Sequence, residues 1–447
     1  MKTHPFSLFA ASFSPRSSFL SPTRHDDGLR PPRLLSIKII LPILFGLIQF
    51  TPSLHASPFS AGDLAVLRSG DGTTTLTNIS TAFFLGEYRT NGQLVQTIAI
   101  PSSGSNALVL SGDAVAEASL TRTANGRWLC FTGYHAEPGF TNIPGSTSTQ
   151  APRSIATIDG AGMFNLVSAS PTLFNTFSIR AAASDGTNGF WGGGANSGTA
   201  AGGICYFGFN GPTNTIYGST VRVLKIINGN LYASASGSGV MKFAGYPKTA
   251  STPSTVISET GSPYGFAINP TGNIAYVADD TQSSVGGVLR YTNSTGTWSL
   301  VYTLGTGVTN VGARGLNVDW SGSNPIIYAT TSDNTVYGNP TNRLIRIVDS
   351  GSHSVATTLA TAPGCSSFRG VTFVPEYYQL EIALNGNNLA VTPSTNSLGA
   401  ILETATTLTS PGQWTPVWTN SGQPPPTFPV ANQQFFRLRL PQSISSP

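Results

Sequence analysis

Short apolar runs, many alternating with Thr, Ser or Asn, fill most of the chain, and each is bounded by turn residues such as Gly, Pro, Asn and Asp. A two-residue period broken at such short intervals predicts β-strands joined by tight turns. One pattern returns every 40 to 60 residues or so, roughly the spacing of propeller blades. Its clearest copy is SPYGFAINPTGNIAYVADD, Ser262 to Asp280, which reads as strand, Pro-Thr-Gly-Asn turn and strand, then continues through GGVLRYTN and WSLVYTL. Four antiparallel strands make one blade. Further copies begin ARGLNVDW (Ala313) and EASLTRTANGRWLCF (Glu117), and two less regular ones begin FSIRAAASDG and VRVLKIINGN.

These make five complete units, and the ends supply a sixth. SFRGVTFVPE (Ser367 to Glu376) is an innermost strand with no partners after it, while DLAVLRSGDG, AFFLGEYRT and GQLVQTIAI are outer strands with no innermost strand before them. Joining them closes a ring and removes the exposed sheet edges that would template aggregation. The expected fold is therefore all-β: a six-bladed β-propeller over residues 61–375, closed by N- and C-terminal strands. Seven blades follow instead if the stretch from Tyr134 to Pro152 hides strands. After Pro375 the blade spacing stops, and YQLEIALNGNNLAVTPS, GAILETATTLTS, QWTPVWTN and FFRLRLP predict a small β-sandwich over residues 377–447.

Charged residues make up only 9% of the 447-residue chain, against roughly 25% in an average soluble protein, so long charged surface helices are not expected. The net charge of +4 changes meaning once located. Lys2, Arg16, Arg24, Arg30, Arg33 and Lys38 all precede residue 57, with only Asp26 and Asp27 to offset them, and the remainder is formally neutral. No basic stripe remains for nucleic acid. The apolar run Ile39 to Phe50 behind that basic flank has the length of a signal-peptide core and falls short of the ~20 residues of a membrane span. Residues 1–56 thus read as an export signal cut after Ala56, leaving a secreted or cell-envelope protein without a membrane span. Cys130, Cys205 and Cys365 lie in or beside apolar strands and form no CxxC pair, which suits buried hydrophobes better than zinc or thiol exchange.

The tail carries a family resemblance. Its apolar strand, Asn-Gly turn, LETATTLTSPGQWTPV and terminal FFRLR resemble the short C-terminal module of many exported proteins of Verrucomicrobia and related bacteria, over residues 377–447 only. That resemblance implies an envelope or extracellular address and no chemistry. The propeller region resembles, more loosely, secreted propellers of the YVTN and lactonase-like type, AYVADD being the nearest local match.

Among candidate chemical groups, an Arg followed by a small residue recurs at the start of the innermost strand. Arg180-Ala181, Arg314-Gly315 and Arg369-Gly370 share that phase, with Arg222-Val223 in a fourth unit and Tyr264-Gly265 in a fifth. Such side chains would form a cationic ring at one channel mouth, suited to carboxylate, phosphate or sulfated sugar through bidentate hydrogen bonds. The competing reading is that each Arg ties one blade to the next. Asp185 and Asp319, near the ends of first strands, are the candidate metal ligands, Ca²⁺ being the ion their oxygens would suit, although no EF-hand or RTX spacing exists and turn capping is the alternative. Asp279, Asp280 and Asp333 end second strands with the same ambiguity. Catalytic residue types are scarce. His135 and His353 fall in polar turns, Glu117 is the only Glu near an inner strand, and Gly192-Gly193-Gly194 is followed by neither Lys-Ser/Thr nor a helix. Trp191, Trp298, Trp320, Trp414 and Trp418 are possible sugar-stacking surfaces, with inter-blade burial favoured for Trp298 and Trp320. The expectation is a non-catalytic binding or surface-interaction protein without a required cofactor, with a carbohydrate, an anionic small molecule or an envelope protein as partner. The alternative is a lactonase-like hydrolase with a channel metal.

Overall fold

The computed structural model describes residues 56–187, 189–198, 201–208, 213–258, 261–333, 342–377, 380–393, 400–407, 414–421, 424, 426–429 and 434–439. The expected export signal lies outside the described residues, apart from Ala56. The chain divides into two compact units, one dominated by Ala56–Gln379 and one by Leu380–Pro393 with Ser397–Leu440.

The larger unit is all-β and propeller-like, and six of its sheets have four antiparallel strands among the described residues. Sheet A contains Leu64–Ser69, Phe83–Tyr88 and Leu94–Ala99, with Ser367–Phe373 on the inner side of Leu64–Ser69. Sheets B to F follow in chain order. Their inner strands are Thr121–Arg122, Ile179–Ser184, Val223–Ile227, Pro263–Ile268 and Ala313–Asp319. In sheet A, Leu64 pairs with Phe373 on one side and Tyr88 on the other, so one short strand joins segments from opposite ends of the unit.

Alternation on these strands explains how the core is built. In Leu64–Ser69, Ala65 and Leu67 point into a cluster with Phe83, Phe131, Leu129 and Ile158, whereas Leu64 and Val66 point the other way, toward Tyr328, Leu344 and Phe368. Every four-stranded sheet is buried on both faces in this manner. The remaining clusters lie between sheets B and C (Ile155 against Phe190), C and D (Trp191 against Leu231), D and E (Val240 against Val277), and E and F (Tyr276 against Ile327). Two buried faces require apolar residues at consecutive positions, as in LAVL and IAYVA. Inner strands also neighbour one another from sheet to sheet, including Ala313–Asp319 beside Ser367–Phe373 and Ser367–Phe373 beside Thr121–Arg122.

The segment Tyr134 to Pro152 is a loop with one 3₁₀ turn, Ile143–Gly145, and an isolated bridge from Thr141 to Ile79. It contributes no four-stranded sheet. Arg153 holds it. This guanidinium is fully buried and donates to the carbonyls of Phe177, Ala151, Pro144 and Ser146 at 2.8–3.1 Å. Trp191, read from sequence as a possible exposed surface, is instead fully buried, and its Nε1 donates to Pro247 O at 2.6 Å. Trp320 stacks on Tyr276 with centroids 5.5 Å apart. The three cysteines are free thiols, and burial pushes Cys130 up and Cys205 up to about 12, leaving both unreactive.

In the smaller unit, Leu380–Asn385 and Asn388–Pro393 form a hairpin over a Gly386-Asn387 turn, with Gly386 at φ 60°. Thr427–Pro429 extends this sheet, and Thr415–Thr419, Ile401–Ala405 and Phe435–Arg439 form a second one. Val391 and Phe428 from one sheet meet Leu402 and Phe436 from the other in a single cluster. No described helix is long and apolar enough to cross a membrane.

Candidate functional site

The inner strands explain the recurrent small residue first. A Cβ at Gly265 would come within 2.7 Å of Arg314 O, and one at Gly315 within 2.7 Å of Arg369 O, with Gly370 closer still to Leu120 N. Glycine at this phase lets one inner strand press against the backbone of the next. The residue before it projects differently. Tyr264, Arg314 and Arg369 line one void together with Glu117, Ser119, Val223 and Lys225.

Arg180, Arg222, Arg314 and Arg369 gather around Tyr264 and Glu117 at this end of the inner strands. The guanidinium carbons of Arg222 and Arg314 stand 4.4 and 5.9 Å from the Tyr264 ring centroid. Arg314 Nε is 3.0 Å from Asp280 Oδ2, and Arg222 Nη1 is 3.8 Å from Asp280 Oδ1 and donates to Ser262 Oγ. Arg180 donates to Ser178 Oγ and, at 3.4 Å, to Val221 O. Arg369 is almost completely buried, donating to Ser69 Oγ of the neighbouring strand in its own sheet A and to Gly112 O in the loop that leads toward sheet B. These contacts are of the tying kind: Arg180 reaches the Val221 carbonyl ahead of sheet D, Arg222 and Arg314 from sheets D and F share Asp280 of sheet E, and Arg369 holds Ser69 and Gly112. Burial lowers the Arg369 pKa to about 10, and Arg314 adds to the shift; Arg180 is lowered by burial, with Arg222 contributing.

Glu117 is the counter-group. Tyr134 Oη donates to its Oε1 at 2.5 Å and Ser111 N to its Oε2 at 3.0 Å. Burial nevertheless pushes its carboxyl up to about 7, against the pull of those donors and of Arg369 and Arg180. A carboxyl that ionises near 4.5 when unfolded and near 7 when folded holds its proton more tightly in the native state. Stability should thus fall as pH rises from about 4.5 to 7 and level off above, by about 3 kcal/mol from this group. Urea titrations of wild type and Glu117→Gln across pH 4 to 8 check this: the slope should be reduced in the variant, and an identical slope would contradict it.

The void bounded by Glu117, Tyr264, Arg314 and Arg369 measures about 20 Å³, space for one water. Asp185 and Asp319 lie elsewhere, each accepting from its own turn: Thr187 N and Gly189 N for Asp185, Ser321 N for Asp319. Among the described residues no three His, Cys, Asp or Glu side chains come together in a metal-binding group. Asp279 and Asp333 serve backbone and Arg343 contacts respectively.

Two groups at these strands escaped sequence reasoning. Lys225 lines both this void and a larger recess, with Nζ donating to Leu316 O at 3.0 Å, and burial lowers its amine to about 8. A cation inside the apolar run VLKII was the legible signal. Tyr134 had none, because a buried Tyr in a strand looks like any core aromatic.

No family model matches the chain, and no curated protein matches it. Among solved structures it is similar to a Bacteroides fragilis protein that bears the name 6-phosphogluconolactonase as an assignment, at 13% identity and TM-score 0.41, covering 84% of this chain and 98% of that one. It is also similar to the periplasmic gluconolactonase of Pseudomonas aeruginosa, at 15% and 0.39, covering 85% and 100%, and to hydrazine synthase of Kuenenia stuttgartiensis, at 13% and 0.33, covering 65% and 76%. Likenesses this distant, to proteins of such different names, carry no argument about activity.

Proposed function

We propose that the chain is an exported six-bladed β-propeller that binds a small anion at the arginine-lined mouth of its inner strands, followed by a small C-terminal β-sandwich. Six four-stranded sheets, a core cluster between sheets F and A, and the pairing of Ser367–Phe373 with Leu64–Ser69 support ring closure. Facing clusters in the smaller unit support the sandwich. The signal-like segment before Ala56 supports export.

The observation that carries the binding reading is charge imbalance. Four guanidinium groups from four different sheets meet three carboxyls, Asp280, Asp113 and Glu117, and the last of these is pushed up to about 7. An arriving carboxylate, phosphate or sulfate would relieve repulsion between cations that already depress one another. Because the void holds no more than a water, the ligand presents a charged head and keeps its body outside, as a sugar acid or sugar ester would. Calorimetric titration at low ionic strength with phosphate, sulfate and gluconate tests it. Arg180→Gln combined with Arg314→Gln should weaken the best of these tenfold or more while the melting curve stays two-state. Unchanged affinity would leave the arginines as ties between sheets and end the binding reading.

A second reading is favoured by one specific feature. A water in the 20 Å³ void would lie between a carboxyl that titrates near neutrality and the guanidinium groups of Arg314 and Arg369. That is a general base beside cations able to stabilise an oxyanion, the requirement for metal-free opening of a lactone ring. Hydrolysis of glucono-δ-lactone above background, lost in Glu117→Gln, would replace the binding reading with this one.

A further inference from the structure

On the far side of Lys225 from the arginines, the inner strands enclose a recess of about 280 Å³. Five of them contribute: Thr121 and Arg122, Lys225 with Ile226 and Ile227, Ala267 and Ile268, Asn317 and Val318, and Thr372 and Phe373, with Trp320 at the side. Its wall has two parts. Ile227, Ile268, Trp320 and Phe373 are half-buried and apolar, and Trp320 is fixed by its stack on Tyr276.

The other polar side chains of the wall already have partners. Asn317 Nδ2 donates to Thr372 Oγ1 at 3.1 Å, and Asn317 Oδ1 accepts from Val318 N. Thr121 Oγ1 donates to Ala182 O at 2.7 Å, and Arg122 is paired with Glu376 at 2.8 Å. Lys225 is the exception. Its ammonium carries three donors and has one hydrogen-bond partner, the Leu316 carbonyl, with the Phe266 ring 5.9 Å away. Among the described residues no carboxylate pairs with it. A half-buried cation without a counter-charge, where an apolar wall meets a polar one, gains from an anion that joins it.

We propose that this recess is a second binding site, for a small amphipathic monocarboxylate whose carboxylate meets Lys225 Nζ and whose apolar body lies against Trp320, Ile268 and Phe373. It shares only Lys225 with the void at the arginine mouth and does not depend on that site binding anything. The volume lies just under the ~300 Å³ at which ordinary ligand pockets begin, which suits a short aliphatic acid better than a sugar or a drug-sized molecule. The two ends of the inner strands would then recognise anions of opposite character, hydrophilic at the arginines and greasy at the lysine.

The test is calorimetric titration of the whole protein with acetate, butyrate and hexanoate, with hexanol as the uncharged control. Affinity should rise along the acids by up to fourfold or so per methylene. Lys225→Met should reduce hexanoate affinity tenfold or more, leave hexanol unchanged, and melt no lower than wild type because it removes an uncompensated cation. Ile268→Glu, at the rim, provides a second variant and should repel hexanoate as strongly. Arg180→Gln with Arg314→Gln should leave hexanoate binding intact. The proposal is overturned by any of four results: no heat with hexanoate, equal affinity for acetate and hexanoate, unaltered binding in both Lys225→Met and Ile268→Glu, or loss confined to the arginine double variant.

Discussion

Deleting residues 61–75 is expected to abolish the cooperative thermal transition of the larger unit. The deletion removes Leu64–Ser69, the strand to which both Ser367–Phe373 and Phe83–Tyr88 are hydrogen-bonded. Two sheet edges lose their partner at once. It also withdraws Ala65 and Leu67 from the cluster facing sheet B, and Leu64 and Val66 from the one facing sheet F, all four side chains being fully buried. At roughly 1.5–3 kcal/mol for each large side chain, with lost strand pairing added, the deficit matches the entire ~5–15 kcal/mol by which a typical domain is stable. Scanning calorimetry on the purified deletion should show a broad, low-enthalpy trace with aggregation from the freed edges. A sharp transition of near wild-type enthalpy would mean that the larger unit does not rely on this strand.

Replacing Arg153 with Ala should lower stability by about 4 kcal/mol, or roughly 10 °C in Tm. The guanidinium stands at the start of the strand Arg153–Asp159 that follows the loop, and its fork reaches carbonyls on three separate stretches: Pro144 and Ser146, Ala151, and Phe177. Alanine leaves those oxygens buried and without their donor. Lysine restores the charge but supplies a single point of donation in place of the planar fork, so Arg153→Lys should recover less than half of the loss. Arg153 also stands 5.1 Å from the Tyr134 ring, whose hydroxyl holds Glu117. The Ala variant should therefore disturb anion binding as well. Chemical denaturation of the three proteins checks the stability order, and a loss below about 1 kcal/mol for Arg153→Ala would mean that the loop is held by other contacts.

Much of the architecture could be read from residues because each element announces itself locally. SPYGFAINPTGNIAYVADD carries its strands and its turn in one stretch, and the observed strands Pro263–Ile268 and Ile274–Asp279 fall where the alternation puts them. The division of sheet A between the two chain ends was legible for a different reason: each end was visibly incomplete. The site was legible only in outline. A recurring Arg-small pair marks a phase, but periodicity cannot distinguish a guanidinium that faces a void from one that ties two backbones, and Arg369 does both. Trp191 was misjudged because a large aromatic beside three glycines looks exposed. In the fold, the missing side chains of those glycines make room: a Cβ at Gly192 would collide with Phe207, and at Gly193 with Leu224. Lys225 sits in a strand whose other residues are all apolar, and a lone cation in such a run is a stronger sign of a special environment than either Trp or Asp proved to be.

The contact between Ser69 and Arg369 spans 300 residues of chain. During synthesis the three outer strands of sheet A emerge first and must wait, with the Leu64–Ser69 edge unfilled, until the last inner strand is made. Sheets B to F are complete before that moment, whereas sheet A cannot be. Completion of sheet A is then a late event that joins the most distant parts of the unit, the slow kind of contact in topological terms. Until Ser367–Phe373 has been made, the open edge of Leu64–Ser69 is the surface that a holding chaperone would have to cover.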